Sequence, residues 1–518
     1  MNATSPRGPN RGRIVMLVDN GVEGDSRVQK QAESAAAAGW EVFLLGCSPT
    51  GKLRKWTIGG AKVRLLPFAT GPDRRRHEVR STRLRDPLAY PHGPRRAHRE
   101  RQVRVRRAEL RLARARLAAR ADRLPAPLLL ARKAALRLRR KALDAAAAWV
   151  AFRAARTDRL HERRQAMTAP LDRLTTRLWR LVLPPGRLWR RFEPALWDLE
   201  LAFAPMIDKL GPDLIHANDF RMLGVGARAA LRARAKGRGT KLVWDAHEYL
   251  PGMHPWITHP RWHVAQMAHE REYAPCADAV VTVSEPLAGL LQERHRLPET
   301  PTVVMNAPEM RPLDADDAVP SLRERCGIGR DTPLLVYSGG AAERRGLNDV
   351  VTALQALPGV HLALIVRSHR TRYMVELARL TERLGVADRV HHLPYVPHRH
   401  VVPHLSEADV GLIPLHHYVN HEIALITKFF EYSHARLPIV VSDVEAMGEK
   451  VAATRQGEVF KAGDVESLVQ AVKAVLTASD TYRAAYDDAE LLAEWTWAAQ
   501  AEKLHGVYRR LLDDRPER

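Results

Sequence analysis

Cysteine is scarce: three residues in 518, Cys47, Cys276 and Cys326, lie far apart with no metal-binding or redox spacing. That spacing argues against a disulfide framework and fits a reducing cytoplasm. Long apolar runs are missing as well. No stretch approaches the roughly 20 apolar residues that a membrane-crossing helix needs, and the opening MNATSPRGPNRGR lacks the apolar core of a signal peptide. A chain neither exported by that route nor threaded through a bilayer is expected. Acidic residues are the third shortage: 59 Asp and Glu against 82 Lys and Arg leave a formal charge of +23 and a pI near 10.4. So large an excess calls for an anionic partner, which can be nucleic acid, an anionic membrane face or a phosphorylated substrate. With 45% hydrophobic residues the chain is otherwise globular in composition and long enough for two or more domain cores.

What is present is organised around one stretch, Val410 to Asp443. An apolar run to Leu415, a His-rich polar segment, a helical segment bearing Lys428 and Glu431, and a second apolar run from Pro438 to Ser442 read as strand, loop, helix and strand. The apolar runs are nearly continuous rather than alternating, as in parallel strands buried on both faces. The loop between them therefore opens at the carboxyl edge of a sheet, where ligands bind. Lys428 and Glu431 are three apart and share a face near the helix start, where unpaired N–H groups and the helix dipole favour an anion. An ammonium and a helix end suit a nucleotide diphosphate, and a carboxylate can accept both hydrogens of a vicinal diol such as ribose. The plainer alternative is a solvated ion pair on a surface helix.

Lys428-Phe-Phe-Glu431-Tyr432, followed by Leu437-Pro438-Ile-Val-Val-Ser442-Asp443, resembles the nucleotide-sugar site of GT-B glycosyltransferases, specifically the retaining glycosyltransferase family 4. The resemblance implies that Glu431 binds the donor ribose. A second Glu common eight residues earlier in that family is replaced by Ile423, with Glu422 beside it, and a Pro two before the Lys is replaced by Ile426. Glu422 is therefore a candidate donor contact displaced by one position.

From the start of the chain, Arg13 to Asp19 reads as a buried strand and Asn20-Gly21 with Gly24 as a flexible loop. A helix is expected from about Ser26, capped by Asp25 or Ser26, with a second strand from Trp40 to Leu45. Strand, glycine-bearing loop, helix and strand in that order open a doubly wound α/β domain. Asp25-Ser26-Arg27-Val28 also resembles the opening of one branch of the same glycosyltransferases, which implies an acceptor-facing loop carrying Asn20, Gly21, Asp25 and Arg27. Simple capping beside an exposed Arg27 is the alternative.

From about Thr70 to Arg190 the texture changes to Ala, Leu and Arg. RVRRAELRLARARLAARADRL and ARKAALRLRRKALDAAAAWVAF are separated by Pro125 and Pro127, and Val103, Leu110, Leu117 and Leu124 recur every seven residues. Basic amphipathic helices of this kind suit an anionic membrane surface. A helical hairpin packed on the domain or on a partner, and a loosely ordered Arg-rich insertion, are the alternatives. Nucleic acid is disfavoured because no recognised nucleic-acid module accompanies the basic run.

Short apolar strands then end in polar residues three times: Asp213 to Asp219, Lys241 to Glu248, and Ala279 to Glu285. Polar groups at the ends of successive parallel strands converge on one sheet edge, which makes His216, Asp219, Asp245, His247, Glu248 and Ser284 a candidate group. Any one of them alone would as readily be a cap or a loop hydrogen bond. Asp245-Ala-His247-Glu248, Thr282-Val-Ser284-Glu285 and Asn306-Ala-Pro308 resemble successive landmarks of the family, and the resemblance implies that His247 approaches the transferred sugar.

Further on, Pro333 to Gly340 is a strand running into glycines, followed by Arg344-Arg345-Gly346. A glycine turn lets backbone approach a phosphate and a guanidinium grips it, so Gly339, Gly340 and Arg344 are donor-binding candidates. The family's basic residue that stabilises the leaving diphosphate matches Arg345, while the family's other Arg corresponds to Gly340. The His residues from His391 to His421 show no familiar metal-ligand motif, so no metal or cofactor is expected.

The expectation is an α/β protein with two Rossmann-like domains facing across a cleft, and an Arg-rich helical insertion in the N-terminal one. Residues 1–310 would form an acceptor domain with the basic stretch 70–190, 311–332 a linker, 333–480 a nucleotide-sugar domain, and 481–518 a helix crossing back. Arg345, Lys428 and His247 would be catalytic in transfer of a sugar from a nucleotide-diphosphate sugar to a glycan or lipid-linked hydroxyl at the inner membrane face, with retention of configuration. A nucleotide-sugar epimerase or phosphorylase on the same frame, and a non-catalytic scaffold for anionic polymers, are the rival readings.

Overall fold

Strands with apolar residues at nearly every position can only be satisfied inside a sheet covered on both faces, and such strands dominate here. A computed structural model describes residues 11–68, 88, 90, 93–121, 124–161, 171–253, 261–310 and 319–513. The strands are β1 (Arg13–Leu17), β2 (Glu41–Ser48), β3 (Arg54–Ile58), β4 (Ala61–Pro67), β5 (Leu214–Asn218), β6 (Lys241–Ala246), β7 (Ala279–Thr282), β8 (Thr302–Val303), β9 (Leu334–Ser338), β10 (His361–Ile365), β11 (Val390–Leu393), β12 (Val410–Ile413), β13 (Ile439–Ser442) and β14 (Gly457–Phe460). Ile14, Val15, Met16 and Leu17 of β1 and Ile439, Val440 and Val441 of β13 are fully buried.

Two sheets result. The first has eight strands in the order β3-β4-β2-β1-β5-β6-β7-β8. β1 is parallel to β2 (Val15 opposite Phe43) and to β5 (Ile14 opposite Leu214), and β5 is parallel to β6. β3 and β4, which apolar runs alone do not announce, form an antiparallel edge hairpin through Gly59 and Gly60. The second sheet has six strands, all parallel, in the order β11-β10-β9-β12-β13-β14. Each is a doubly wound sheet whose strand order reverses at its centre, between β1 and β5 in the first and between β9 and β12 in the second, and ligands bind at the carboxyl edge of such a switch point. By contacts the chain divides into one unit of Met1–Val281, Leu291–Pro301 and Val507–Arg518, and another of Thr282–Leu290 and Thr302–Gly506.

The expected local signals act as read at several places. Asp25 caps the helix Ser26–Ala37, its carboxylate accepting from the Val28 N–H at 3.3 Å. Within the stretch expected to be a basic insertion, residues 70–87, 89, 91, 92, 122, 123 and 162–170 lie outside the described residues. The rest holds helices Gly93–Ala118, Ala126–His161, Leu171–Val182 and Pro185–Phe192. The first two pair through Arg107 to Asp144 and Arg139 to Glu109. Of the sevenfold repeat only Leu110 is fully buried, with Val103, Leu117 and Leu124 half-buried. Residues 311–318 of the expected linker also lie outside the described residues, and its later part carries the short helix Leu322–Cys326, capped by Ser321.

Candidate active site

In the second sheet β9 ends at Ser338, and Gly339 turns the chain with φ +133°. The turn is pinned: the Gly339 N–H donates to the Ile365 carbonyl at 3.0 Å and the Tyr337 hydroxyl to the Gly340 carbonyl at 2.6 Å. A short 3-10 turn, Glu343–Arg345, leads into Gly346 at φ +67°. A Cβ there would lie 1.8 Å from the Pro414 carbonyl oxygen at the end of β12, so only glycine fits.

Lys428 and Glu431 lie on the helix Thr427–His434, whose first residue accepts, at its hydroxyl, the Asn306 side-chain amide at 2.8 Å. The solvated ion pair is not what forms. Lys428 is 7% exposed and its ammonium makes no hydrogen bond. It lies 3.4 Å from the Tyr337 ring centre and 3.3 Å from where a Gly339 Cβ would stand. Burial and then the Arg345 cation push its pKa well below the usual lysine range, against the pull of Glu431. A buried, unpartnered ammonium under a glycine turn and beside a guanidinium is a site held open for an anion.

Other expected donor contacts are placed differently. Arg344 is exposed and its guanidinium stacks 4.6 Å from the Tyr418 ring. Glu422 is occupied at both oxygens: one accepts from the Tyr418 N–H at 3.2 Å and lies 2.9 Å from His417 Nδ1, the other accepts from the Glu445 N–H at 2.8 Å. It thereby ties its own loop to the start of the helix Glu445–Thr454, and those backbone N–H groups use the oxygens a donor contact would need. Ser284 likewise donates its hydroxyl to the Ile423 carbonyl. Sequence reasoning missed Tyr337, two residues before the glycine pair, and Tyr395, whose hydroxyl feels both Glu431 and Arg345 and is raised by burial.

In the first sheet, Asp245 at the end of β6 is fully buried. Arg27 grips it with two hydrogen bonds of 2.9 Å, Gln31 donates a third, and the rings of His216 and His247 lie 3.5 and 3.6 Å away. Burial works against the carboxylate, but Arg27 and the two rings outweigh it and hold its pKa well below the usual range. Arg27 is thus not exposed, and neither Asp245 nor His216, both at 0% exposure, presents itself to an acceptor. The buried Tyr508 hydroxyl, its pKa raised well above the phenolic norm by burial, pairs with His216 Nδ1 at 2.8 Å. With the phenol donating, the other ring nitrogen carries the proton toward Asp245.

His247 remains accessible at 27% of its side-chain surface. Burial lowers its pKa, but Asp245 and then Asp219 override that and raise it to about 9, so it is a cation at neutral pH. Glu248 is raised to about 7 by burial and by Asp219, and Asp219 to about 6 by burial and Asp19 against His247. Asp219 adopts φ +66° at the mouth of the helix Asp219–Arg234 and accepts from its neighbour's N–H on Phe220 at 2.7 Å. Asn20 binds Asp25 and the Val22 N–H, shaping the loop after β1. That loop borders a cavity of about 310 Å³ lined by Asn20, Gly21, the Asp19–Arg221 ion pair, Trp262 and Gln266. Among the described residues no cluster of three or more His, Cys, Asp or Glu could hold a metal ion.

Comparison with known proteins converges on this architecture. Residues 141–307 match the model of Glycosyltransferase Family 4, and residues 332–478 that of Glycosyl transferases group 1. A D-inositol 3-phosphate glycosyltransferase of Xylanimonas cellulosilytica is 26% identical over 326 residues, 56% of this chain and 76% of that protein. Among solved structures, sucrose-phosphate synthase from Thermosynechococcus elongatus aligns with TM-score 0.60 at 16% identity, over 97% of this chain and all of the other. Anabaena HepE in complex with UDP and glucose aligns with TM-score 0.55 at 14% identity, over 96% of this chain and all of the other. These structural likenesses establish the fold. Two doubly wound sheets together with both domain matches define a glycosyltransferase of the GT-B fold. Within that class residues 141–307 carry the likeness to glycosyltransferase family 4, and residues 332–478 the likeness to glycosyl transferases group 1.

Proposed function

We propose that the protein transfers a sugar from a nucleotide-diphosphate sugar to a hydroxyl of a glycan or lipid-linked acceptor. The observation that carries this reading is the Lys428 ammonium, buried and without a hydrogen-bond partner beneath Gly339. The chemical cost of the reaction is the charge that develops on the departing diphosphate. Lys428, Arg345 and the first N–H groups of the Lys428 helix supply compensating positive charge without a metal. Glu431, one turn on, would hold the ribose diol, and Gly339 and Gly340 would let the backbone approach the phosphates. HepE, similar in fold, is recorded with UDP and glucose, which supports a donor of this class by analogy of fold.

The cavity beside Asn20 and Gly21 is sized and lined for a polar ring, with Trp262 as an apolar wall, and suits the acceptor. His247, cationic and partly accessible, would stand near the transferred sugar. Retention of anomeric configuration follows from the family resemblance. The basic helices would place the enzyme at the inner membrane face. No described helix is long and apolar enough to cross a bilayer.

The test is calorimetric titration with UDP, GDP and ADP, with and without divalent metal, on the native chain and on Glu431→Ala and Lys428→Ala. One nucleotide should bind, and both substitutions should weaken it at least tenfold. Equal binding of all three, or binding indifferent to both substitutions, would refute the donor site. Product formed without added acceptor would favour the epimerase or phosphorylase reading.

A further inference from the structure

Between the helices Gly93–Ala118 and Ala126–His161 lies a groove of about 1060 Å³, closed along one side by Leu183 and the helix Pro185–Phe192. Its lining falls into two chemical classes. Leu112, Leu143 and Leu183, with several alanines, make an apolar floor, and among the described residues eight arginines surround it with Glu109 as the one acid. Glu109 is already neutralised by Arg190 and Arg139. Arg106, Arg116, Arg132 and Arg187 make no side-chain hydrogen bond or ion pair with any described residue. Arg191 rests on the Trp179 ring, 3.5 Å from its centre, and burial together with Arg99, Arg261, Arg95 and Arg106 lowers its pKa to about 10. Like charges crowded around an apolar slot repel one another until an anion enters, and the slot accepts a hydrocarbon chain at no polar cost.

The surfaces flanking the groove match. Leu130 is 65% exposed, Leu138 69%, Leu181 84% and Val182 69%, and Trp149 stacks on Phe152 at the surface. Large apolar side chains alternating with arginine stems, on helices too basic to span a bilayer, suit its interface. A nucleic acid would use the arginines and leave the leucine floor empty.

We infer that this groove binds one anionic membrane lipid, with the headgroup phosphate among Arg116, Arg132 and Arg187 and an acyl chain along the leucine floor. It deepens the membrane-face part of the function proposed above and is independent of the donor site. Lysophosphatidylglycerol, below its micelle concentration, is titrated against the full chain, with lysophosphatidylcholine and inorganic phosphate as comparators. One equivalent of the anionic lipid should bind at least tenfold tighter than either comparator. Arg116→Gln with Arg132→Gln, which removes charge at the rim, and Ala146→Trp, which fills the floor and keeps the charge, should each weaken binding at least tenfold. Circular dichroism identifies any variant that fails to fold, and the rim variant, altered only at exposed side chains, is the one on which the inference stands. Lys428→Ala should bind the lipid as the native chain does, which separates this site from the donor site. The inference is overturned if lysophosphatidylcholine or phosphate binds as tightly, if the rim variant binds lipid unchanged, or if duplex DNA displaces the lipid at lower concentration.

Discussion

The Lys428 ammonium lies 3.4 Å from the centre of the Tyr337 ring, on a strand 91 residues earlier in the chain. A ring face is a weak substitute for the hydrogen bonds that water gave this cation, and the deficit is the driving force for binding an anion.

Replacing Lys428 with Met should therefore separate stability from function. Nucleotide binding is expected to weaken at least tenfold, while the urea midpoint stays the same or rises, because a buried amino group with no hydrogen-bond partner is gone. A lower midpoint would show that the ammonium has a structural partner.

Proton uptake should accompany nucleotide binding. Free Lys428 has a pKa well below the usual value, and a diphosphate beside it favours the charged form. The pKa rises on binding, so protons are taken up at a pH between the two values. Titrations in buffers of different ionisation enthalpy measure this directly, and the uptake should vanish in Lys428→Met.

Arg27→Met strands the Asp245 carboxylate in the core. Breaking a buried pair typically costs about 3–5 kcal/mol, and urea unfolding should show a loss of that order. Arg27→Met combined with Asp245→Leu should lose less than Arg27→Met alone.

Glu248→Gln tests the raised carboxyl. Because its folded pKa of about 7 exceeds the ordinary carboxyl value of 4.5, its favourable contribution is complete below about pH 4.5 and is lost as pH rises through 7. The Gln variant should be more stable than the native chain at pH 8, by about 1–3 kcal/mol, and equal to it near pH 4.5. Paired melting curves at the two pH values decide it.

Gly346→Ala forces a left-handed residue and a methyl group 1.8 Å from the Pro414 oxygen. The clash can only be relieved by moving the Arg345 turn away from the end of β12. A lower melting temperature with weakened nucleotide binding is expected, and unchanged binding would detach this turn from the donor site.

Much of this molecule is legible without coordinates. Buried parallel strands write themselves as unbroken apolar runs, which is why the strands at Arg13, Leu214, Lys241, Leu334 and Val410 can be seen, and the residues just beyond them are the candidate site. Asp25 as a cap is equally local. The antiparallel hairpin of Arg54–Ile58 and Ala61–Pro67 escaped because an exposed edge strand needs no apolar run.

The roles of single polar residues were a different matter. Arg27 and Asp245 stand 218 positions apart and bind each other inside the protein. His216 is held by Tyr508 from 292 positions away. Glu422, one place off the expected register, spends one oxygen on its own loop and the other on the Glu445 N–H. Sequence alone determined the periodicities, the caps, the glycine turns and the concentration of positive charge, since each depends on neighbours along the chain. Which carboxylates are buried, which histidine stays reachable and which lysine is left without a partner were decided by the tertiary structure, because desolvation and pairing are set by groups that only folding brings together.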